Sequence, residues 1–325
     1  MVTQSALGIV VIGRNEGDRL KMCIGSLPKD VPIVYVDSGS TDGSPAWAEG
    51  QGLSVVALDP SRPFSAARAR NEGAERLMAE APGTAFIQFV DGDCELLPGW
   101  LDAGLQRMAE DPGLAVVAGL RRERHPDRSW YNHLCAIEWD TPVGEAAAVG
   151  GDAIYRAEPF LKVGGFDPMM MAGEEPELCL RLRKEGFRIE RLDHDMVLHD
   201  AAILTFGAWW KRAVRSGYAL CLGAWKHGRD GYCIKELSRS LLWGAGLPLT
   251  ILLLLLLGYW PLAILGASLY PLKWFRLKRR FTGAMPEPGR YAGFLMLTNI
   301  AEVPGIIRAL LESLQSKRQI VEYKG

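Results

Sequence analysis

Four short apolar runs alternate with helical stretches over the first 90 residues, and this alternation constrains the fold more than any other feature. The runs lie at residues 7–12, 31–36, 54–58 and 86–90. Strand-helix alternation of this kind is typical of a parallel sheet with helices on both faces. We therefore predict an α/β fold with a mainly parallel sheet.

Carboxylates stand at the ends of two of these runs. Asp37 ends the second run, and Asp91 and Asp93, separated by Gly92, follow the fourth. The carboxyl ends of parallel strands meet at one edge of the sheet, where open α/β sheets bind their ligands. Neighbouring carboxylates repel each other unless a positive charge lies between them, so we expect a divalent cation there. A solvated Asp-Gly-Asp turn is the alternative.

Several function classes find no support in the sequence. It contains no GxxxxGK[ST] motif and no strand-linked GxGxxG motif, which are the P-loop and dinucleotide signatures. A formal net charge of -1 over 325 residues gives no case for a nucleic-acid partner. The six cysteines form no CxxC pair, which favours free thiols in a reducing compartment. Since no secretory signal is visible, residues 1 to about 205 are expected in the cytoplasm.

Three later segments offer further candidate residues. Gly150-Gly151 interrupts a strand expected at residues 147–155, so a ligand could approach the backbone there and contact Asp152; an ordinary turn or bulge is the alternative. Glu174 and Glu175 open a helix, where acidic residues suit the positive helix end without any further role. His199 follows an apolar run, and its position is as compatible with a partly buried structural histidine as with a functional one.

The order of these motifs resembles that of the family 2 inverting glycosyltransferases. The elements that carry the resemblance are 14–16, 37–43, 69–73, 91–93, 164–167 and 173–181. The resemblance covers residues 7 to about 200. It implies the GT-A fold, a Rossmann-like arrangement, and a nucleotide-diphosphate-sugar donor.

The resemblance also implies roles for particular residues. Asp37 would bind the nucleotide base, and Gly151 and Asp152 would face the acceptor. Asp91 and Asp93 are similar to the family's carboxylates that bind Mg²⁺ or Mn²⁺, with Asp93 as the more direct ligand and His199 as a further one. The donor-site positions are Arg14, Asn15, Glu16, Asp37, Ser38, Arg68, Asn71, Asp91 and Gly92.

Inverting transfer needs a base that deprotonates the acceptor hydroxyl. The family usually has Glu-Asp where this chain has Glu174-Glu175, so Glu175 falls at the base position, with Glu174 as the second candidate. The Gln-x-x-Arg-Trp segment of processive members is absent, because residues 209–215 do not match it. Addition of a single sugar is therefore expected.

A long apolar segment dominates the C-terminal third. Residues 241–271 carry no charge, and this uncharged segment is longer than the length needed to span a bilayer. Within it, residues 258–261 have the composition of a turn. Basic residues flank both sides, favouring a re-entrant or hairpin insertion with both ends in the cytoplasm. One full crossing and a buried soluble helix are the alternatives.

The sequence divides into four predicted regions: a catalytic domain at 1–205, amphipathic interfacial helices at 206–240, a transmembrane or re-entrant hairpin at 241–275 and a helical tail at 276–325. Residues 206–225 could instead form a soluble helix packed on the catalytic domain. Residues 291–314 are a weaker amphipathic or membrane candidate.

These features predict an enzyme at the inner (cytoplasmic) membrane, with its catalytic domain in the cytoplasm. It would transfer a sugar, with inversion, from a nucleotide-diphosphate-sugar donor to a lipid-linked or envelope-polysaccharide acceptor. Two alternatives stay open: a nucleotidyltransferase, which would release pyrophosphate, and an inactive membrane scaffold that binds nucleotide sugars.

Overall fold

The computed structural model describes residues 6–314 of the chain. Residues 315–325, the end of the predicted C-terminal tail, lie outside the described residues. The chain forms two compact units, and the second begins at Thr205. The first unit is an α/β domain and the second is wholly helical over its described residues.

The first half of the sheet follows the predicted alternation. Its strands are β1 (Leu7–Gly13), β2 (Ile33–Asp37), β3 (Ser54–Ala57) and β4 (Phe86–Asp91), and its helices are α1 (Asp18–Gly25), α2 (Ser44–Gly50) and α3 (Ala66–Glu80). The four strands are parallel, in the order β3-β2-β1-β4. In register, Gly13 of β1 lies opposite Asp37 and Ile12 lies opposite Asp91. Both acids therefore lie at the same edge of the sheet, as predicted.

The second half of the sheet is mixed. Its elements are β5 (Cys94–Leu96), α4 (Trp100–Glu110), β6 (Leu114–Glu123), α5 (Trp130–Trp139), β7 (Gly144–Glu145), β8 (Ala153–Arg156), α6 (Ala157–Lys162), α7 (Glu174–Lys184) and β9 (Arg188–His199). β8 is antiparallel to both β4 and β6, whereas β6 and β9 are parallel. Because β8 runs in reverse, its first residues reach the edge where β4 ends.

Between β6 and β7 the chain forms α5, whose first turn is capped by Ser129: the Ser129 hydroxyl accepts a hydrogen bond from the Asn132 N–H. One local prediction in this half is wrong. The strand expected at residues 147–155 is confined to β8, which begins only at Ala153. Residues 150–152 instead pass close to the side chains of Arg70 and Arg121.

Helix α3 packs on the parallel strands through a glycine. A Cβ added at Gly73 would lie 2.4 Å from Val10 Cγ1 and 2.8 Å from Val36 Cγ2. Both valines are fully buried in the core, so neither has free space into which to move. The close approach of α3 to β1 and β2 therefore depends on a missing side chain.

The second unit consists of long helices. They are α8 (Phe206–His227), α9 (Ile234–Leu241), α10 (Leu247–Leu256), α11 (Trp260–Phe281) and α12 (Pro288–Leu314), and a π-helical turn at Leu242–Gly246 joins α9 to α10. Within the described residues, two helical segments are long and apolar enough to cross a membrane, Ile234–Leu256 and Pro288–Leu314. The chain turns between α10 and α11 at Gly258, whose φ is +79°.

Helices α8 and α12 approach each other closely. A Cβ at Gly217 would lie 2.0 Å from the Glu302 carbonyl oxygen, and one at Gly305 would lie 1.9 Å from that of Val214. The Glu302 carboxylate is buried and accepts hydrogen bonds from the hydroxyls of Ser216, at 3.2 Å, and Ser240. Small residues and buried polar bonds thus hold α8, α9 and α12 together.

Replacing Gly73 by alanine tests the packing of α3. We expect Gly73→Ala to lower the free energy of unfolding by roughly 1–3 kcal/mol, because the methyl group would overpack the core. Gly50→Ala, at the exposed end of α2 with open space around its Cβ, is the control and should change it by about 0.5 kcal/mol or less. Denaturant titration of the purified chain measures both; equal effects would contradict this packing.

Candidate active site

Gly92 allows the end of β4 to lie tightly against β1. Its N–H donates a 2.8 Å hydrogen bond to the Ile12 carbonyl, and a Cβ there would lie 3.1 Å from both that oxygen and Glu16 Cγ. The chain then turns into β5, where Cys94 lies opposite His199 of β9. This turn brings Asp93 beside His199 and leaves Asp91 facing α3.

The loops after β1 and β2 are tied together by side chains predicted to bind the donor. The buried Asp37 carboxylate accepts hydrogen bonds from the Tyr35 hydroxyl at 2.9 Å and from the N–H groups of Gly39 and Ser40. The Asn15 N–H donates to the Ser40 hydroxyl, and the Asn15 side-chain oxygen accepts from the Thr41 N–H, both at 2.8 Å. These bonds give the edge of the sheet a defined, prefolded shape.

Other predicted donor residues border these loops. The Ser38 N–H donates to the Gly13 carbonyl at 3.0 Å, and the Arg14 guanidinium lies over the Phe64 ring. Glu16 is buried and forms a 2.6 Å ion pair with Arg19. The structure therefore brings Arg14, Asn15, Glu16, Asp37 and Ser38 to one edge, although their contact with a donor remains a prediction.

Arg68 and Asn71 have clear local partners instead. The Arg68 guanidinium donates to the carbonyls of Asp59 and Arg62 and pairs with Glu72 at 2.6 Å. The Asn71 amide exchanges two hydrogen bonds with the backbone of Phe166, at 2.7 and 2.9 Å. These contacts assign both residues to holding neighbouring loops, and their predicted donor contacts stay predictions.

Arg70 is the central residue that sequence reasoning missed. Only 2% of its side chain is exposed, and its guanidinium donates to Asp91 Oδ1 at 2.8 Å and to Glu174 Oε1 at 2.9 Å, with Glu175 Oε1 3.3 Å away. Burial disfavours its charge, but Asp91, Glu175 and Glu174 together raise the pKa of Arg70 well above its usual value.

A sequence signal for Arg70 was available. It shares one buried stripe of α3 with Ala67, Ala74 and Leu77, at the spacing of a core-facing helix surface. An arginine in such a stripe must have a buried charge partner, because unpaired burial of a charge is costly. The expected cation beside Asp91 is therefore, at least in part, this guanidinium.

The two glutamates at the start of α7 occupy different environments. The Glu174 side chain is 6% exposed, whereas that of Glu175 is 18% exposed. Burial, followed by the charge of Glu175, raises the pKa of Glu174 to about 7. Glu174 thus lies inside the cluster, while part of Glu175 reaches the surface.

Asp152 lies in the core beneath the site and contacts the backbone of Asp91. It is fully buried, and its carboxylate accepts a 2.8 Å hydrogen bond from the Asp91 N–H and further bonds from Arg121 and the Cys94 thiol. Burial raises the pKa of Asp152, and Arg121 opposes that rise. This placement favours a supporting role, and its predicted acceptor contact stays a prediction.

Asp93 and His199 form the group best suited to a divalent metal. Asp93 Oδ1 and His199 Nε2 lie 3.3 Å apart, and potential ligand atoms of Asp93, Cys94 and His199 lie within 4.8 Å of one another. Burial raises the pKa of the Cys94 thiol well above its usual value, and the thiol donates a 3.4 Å hydrogen bond to the Asp152 carboxylate. Among residues 6–314, nothing hydrogen-bonds His199 Nδ1, and the Trp139 ring packs against the imidazole. A carboxylate and an imidazole suit Mn²⁺, and the carboxylate also suits Mg²⁺.

Comparison with known proteins decides which family this site belongs to. The sequence profile "Glycosyl transferase family 2" matches residues 8–169. The chain belongs to this family. The membership of family 2 that the ordered motifs predict is thus confirmed.

One curated relative and one solved structure are similar to this chain over much of its length. A pre-mycofactocin glycosyltransferase from Mycobacterium tuberculosis is 28% identical over 206 residues, covering 59% of this chain and 42% of that protein. The match thus spans less than half of the curated relative's length. A solved structure of a mannosyltransferase from Pyrobaculum calidifontis, in complex with GDP-Man and Mn²⁺, aligns with a TM-score of 0.57 at 18% identity, over 94% of this chain and 87% of that one. Together with the family assignment, this likeness confirms the predicted GT-A fold.

Proposed function

We propose that this family 2 chain transfers a sugar from a nucleotide-diphosphate sugar to an acceptor hydroxyl, with inversion at the anomeric carbon. The observation that carries the proposal is that Arg70 joins Glu174 and Glu175 to Asp91, which lies two residues before Asp93 of the Asp93–His199 pair. The GDP-Man and Mn²⁺ bound to the mannosyltransferase with this fold support the donor class and the metal.

On the donor side, the loops after β1 and β2 would receive the nucleotide, with Asp37 and Ser38 at its base and ribose. Asp93 and His199 would hold the divalent cation, which when bound stabilises negative charge on the departing diphosphate as a Lewis acid. Asp91 would help to shape this side, because Arg70 and the Asp152 carboxylate hold it in place.

On the acceptor side, Glu175 is the better base. Its carboxylate is partly accessible, whereas that of Glu174 is enclosed and hydrogen-bonded to Arg70. As the acceptor oxygen attacks the anomeric carbon, the bond to the diphosphate oxygen breaks and the hydroxyl proton passes to Glu175. Attack opposite the leaving group inverts the configuration.

The second unit gives the chain a surface for a lipid bilayer. Apolar side chains of α10 and α11 are widely exposed, including Leu249, Leu256, Ile264 and Leu265. Basic residues follow at the end of α11: Lys273, Arg276, Lys278, Arg279 and Arg280. Such a pair of features suits the hydrocarbon and the anionic headgroups of a membrane. We propose attachment to the inner membrane, with the catalytic unit in the cytoplasm and a lipid-linked or envelope-polysaccharide acceptor.

The helical segment Ile234–Leu256 is long enough to cross a bilayer, but its uncharged part is shorter, and this favours a re-entrant hairpin. Its uncharged arms, residues 241–256 and 260–272, are about 24 and about 20 Å long at roughly 1.5 Å per residue, against a hydrocarbon core of about 30 Å. In the turn, the N–H groups of Leu257, Gly258 and Tyr259 donate to carbonyls at the end of α10. These donors are satisfied without water, which lowers the cost of placing the turn within the hydrocarbon.

A donor screen tests the proposed function. The purified chain with Mn²⁺ or Mg²⁺ is offered a panel of nucleotide-diphosphate sugars with lipid-linked and soluble acceptors, and released nucleoside diphosphate is measured. Transfer to a lipid-linked acceptor supports the proposal, while transfer to soluble molecules alone contradicts its acceptor. Pyrophosphate release would indicate a nucleotidyltransferase, and donor binding without turnover would indicate a scaffold.

Removing the proton-accepting charge of Glu175 should separate binding from chemistry. We expect Glu175→Gln to lower kcat by about 100-fold or more, the usual scale for a general base, with donor affinity retained. Glu158→Gln, on the exposed surface of α6, is the control. Near-normal turnover of Glu175→Gln would move the base elsewhere.

Metal binding should depend on Asp93. Titration of Mn²⁺ followed by electron paramagnetic resonance should show affinity reduced by about 10-fold or more in Asp93→Asn, because the best oxygen ligand loses its charge. The exposed Asp195, which pairs with Arg122, supplies the control variant Asp195→Asn. Equal Mn²⁺ affinity in wild type and Asp93→Asn would remove Asp93 from the metal site.

Cysteine labelling tests the depth of the hairpin. In a Cys233→Ser background, a cysteine replacing the exposed Leu257 should resist a membrane-impermeant maleimide from either side of sealed vesicles and react after detergent is added. Lys278→Cys, in the basic end of α11, should react from the cytoplasmic side alone. Reaction of Leu257→Cys from the opposite side would show a full crossing.

A further inference from the structure

Arg70 carries a buried charge whose cost the fold has to offset. Its side chain is among the largest that are fully buried, at 2% exposure. A buried ion is stable only when its partners satisfy it with good geometry. The partners come from two separate elements, Asp91 at the end of β4 and Glu174 with Glu175 at the start of α7. Arg70 therefore joins the proposed donor side to the proposed acceptor side.

The guanidinium is held in a fixed orientation. One nitrogen, Nη2, donates to Asp91 Oδ1, and the other, Nη1, donates to Glu174 Oε1 and lies 3.3 Å from Glu175 Oε1. Its planar, forked shape fixes the direction of both contacts, which a lysine ammonium cannot reproduce. The ring of Phe166 lies under the guanidinium, 5.4 Å from its carbon.

The chain leaves space for this group at Gly151. A Cβ at Gly151 would lie 2.0 Å from Arg70 Nη2, 2.6 Å from Cζ and 3.1 Å from Glu175 Oε1. Gly151 therefore has a structural role in addition to its predicted contact with the acceptor, because the absence of a side chain leaves room for Arg70. It lets the backbone before β8 cover the Arg70–Glu175 contact closely.

We infer that Arg70 is a positioning residue, which directs the Glu175 carboxylate toward the acceptor hydroxyl while Asp91 and Glu174 hold the guanidinium from either side. This inference rests on the proposed function. Arg70 itself takes no proton and need not contact substrate. Proton transfer is sensitive to small displacements, and a misplacement of about 1 Å can cost about 100-fold in rate.

Arg70→Lys tests the inference, because it keeps a positive charge and loses the fork. We expect kcat for transfer to fall by about 10- to 100-fold, with the KM for the donor changed by less than about threefold. The ratio of sugar transfer to donor hydrolysis should also fall, because water can attack without an oriented base. A purely structural loss of folded enzyme would lower both reactions equally.

A matched arginine in the same domain provides the control. Arg181 of α7 pairs with the buried Glu177 at 2.8 Å and donates to the Val163 and Gly165 carbonyls. Arg181→Lys should lower the thermal midpoint while leaving the transfer-to-hydrolysis ratio of the folded enzyme unchanged. An equal drop of that ratio in both variants would overturn the positioning role.

Gly151→Ala provides a second route if Arg70→Lys does not fold. It keeps Arg70 and Glu175 but pushes the guanidinium, so the transfer-to-hydrolysis ratio should fall as in Arg70→Lys. A normal ratio in either folded variant, or raised donor KM with normal kcat, would overturn the inference. If wild type itself transfers no sugar, the proposed function fails instead, and the two failures are thus distinguishable.

Discussion

A single buried guanidinium, that of Arg70, is the contact on which the arrangement of the site depends. It faces three carboxylates drawn from β4 and α7, so it neutralises a group of acids that would otherwise repel one another. One cation for three acids leaves an excess of negative charge, and the raised pKa of Glu174 is the local response to that excess and to burial. The raised pKa means that Glu174 takes up a proton more readily than an ordinary carboxyl group, and such a proton would reduce that excess.

This arrangement separates the two chemistries proposed for the site, metal binding and proton acceptance. On one side, Asp91 is held by Arg70 from α3 and by the reversed strand through Asp152, which leaves Asp93 to face His199. On the other side, Glu175 emerges from the same cluster toward the surface. Residues with different proposed roles therefore share Arg70 as their positive partner, and a change in the charge of one carboxylate alters the titration of the others.

Local patterns were sufficient for the first half of the sheet and for its acids. The alternation of apolar runs predicted the parallel strands β1 to β4, and strand ends then placed Asp37 and Asp91 at one edge, as observed. The reversed direction of β8 could not be predicted in this way, because strand direction depends on distant partners. Arg70 was overlooked for a similar reason: its stripe on α3 was visible, but the carboxylates that make its burial possible lie far along the chain.

The separation between Arg70 and Glu174, 104 positions in the chain, has a consequence for synthesis. The strands β1 to β4 can pair as soon as they leave the ribosome, but Arg70 has only Asp91 as an acidic partner in the cluster until α7 is made. Closing so long a loop is slow, and it follows the local contacts that come first. We therefore expect the chain to form its sheet edge early and to place its proposed proton acceptor late, so a nascent chain that ends before α7 would have the shape of the proposed donor site without that acceptor.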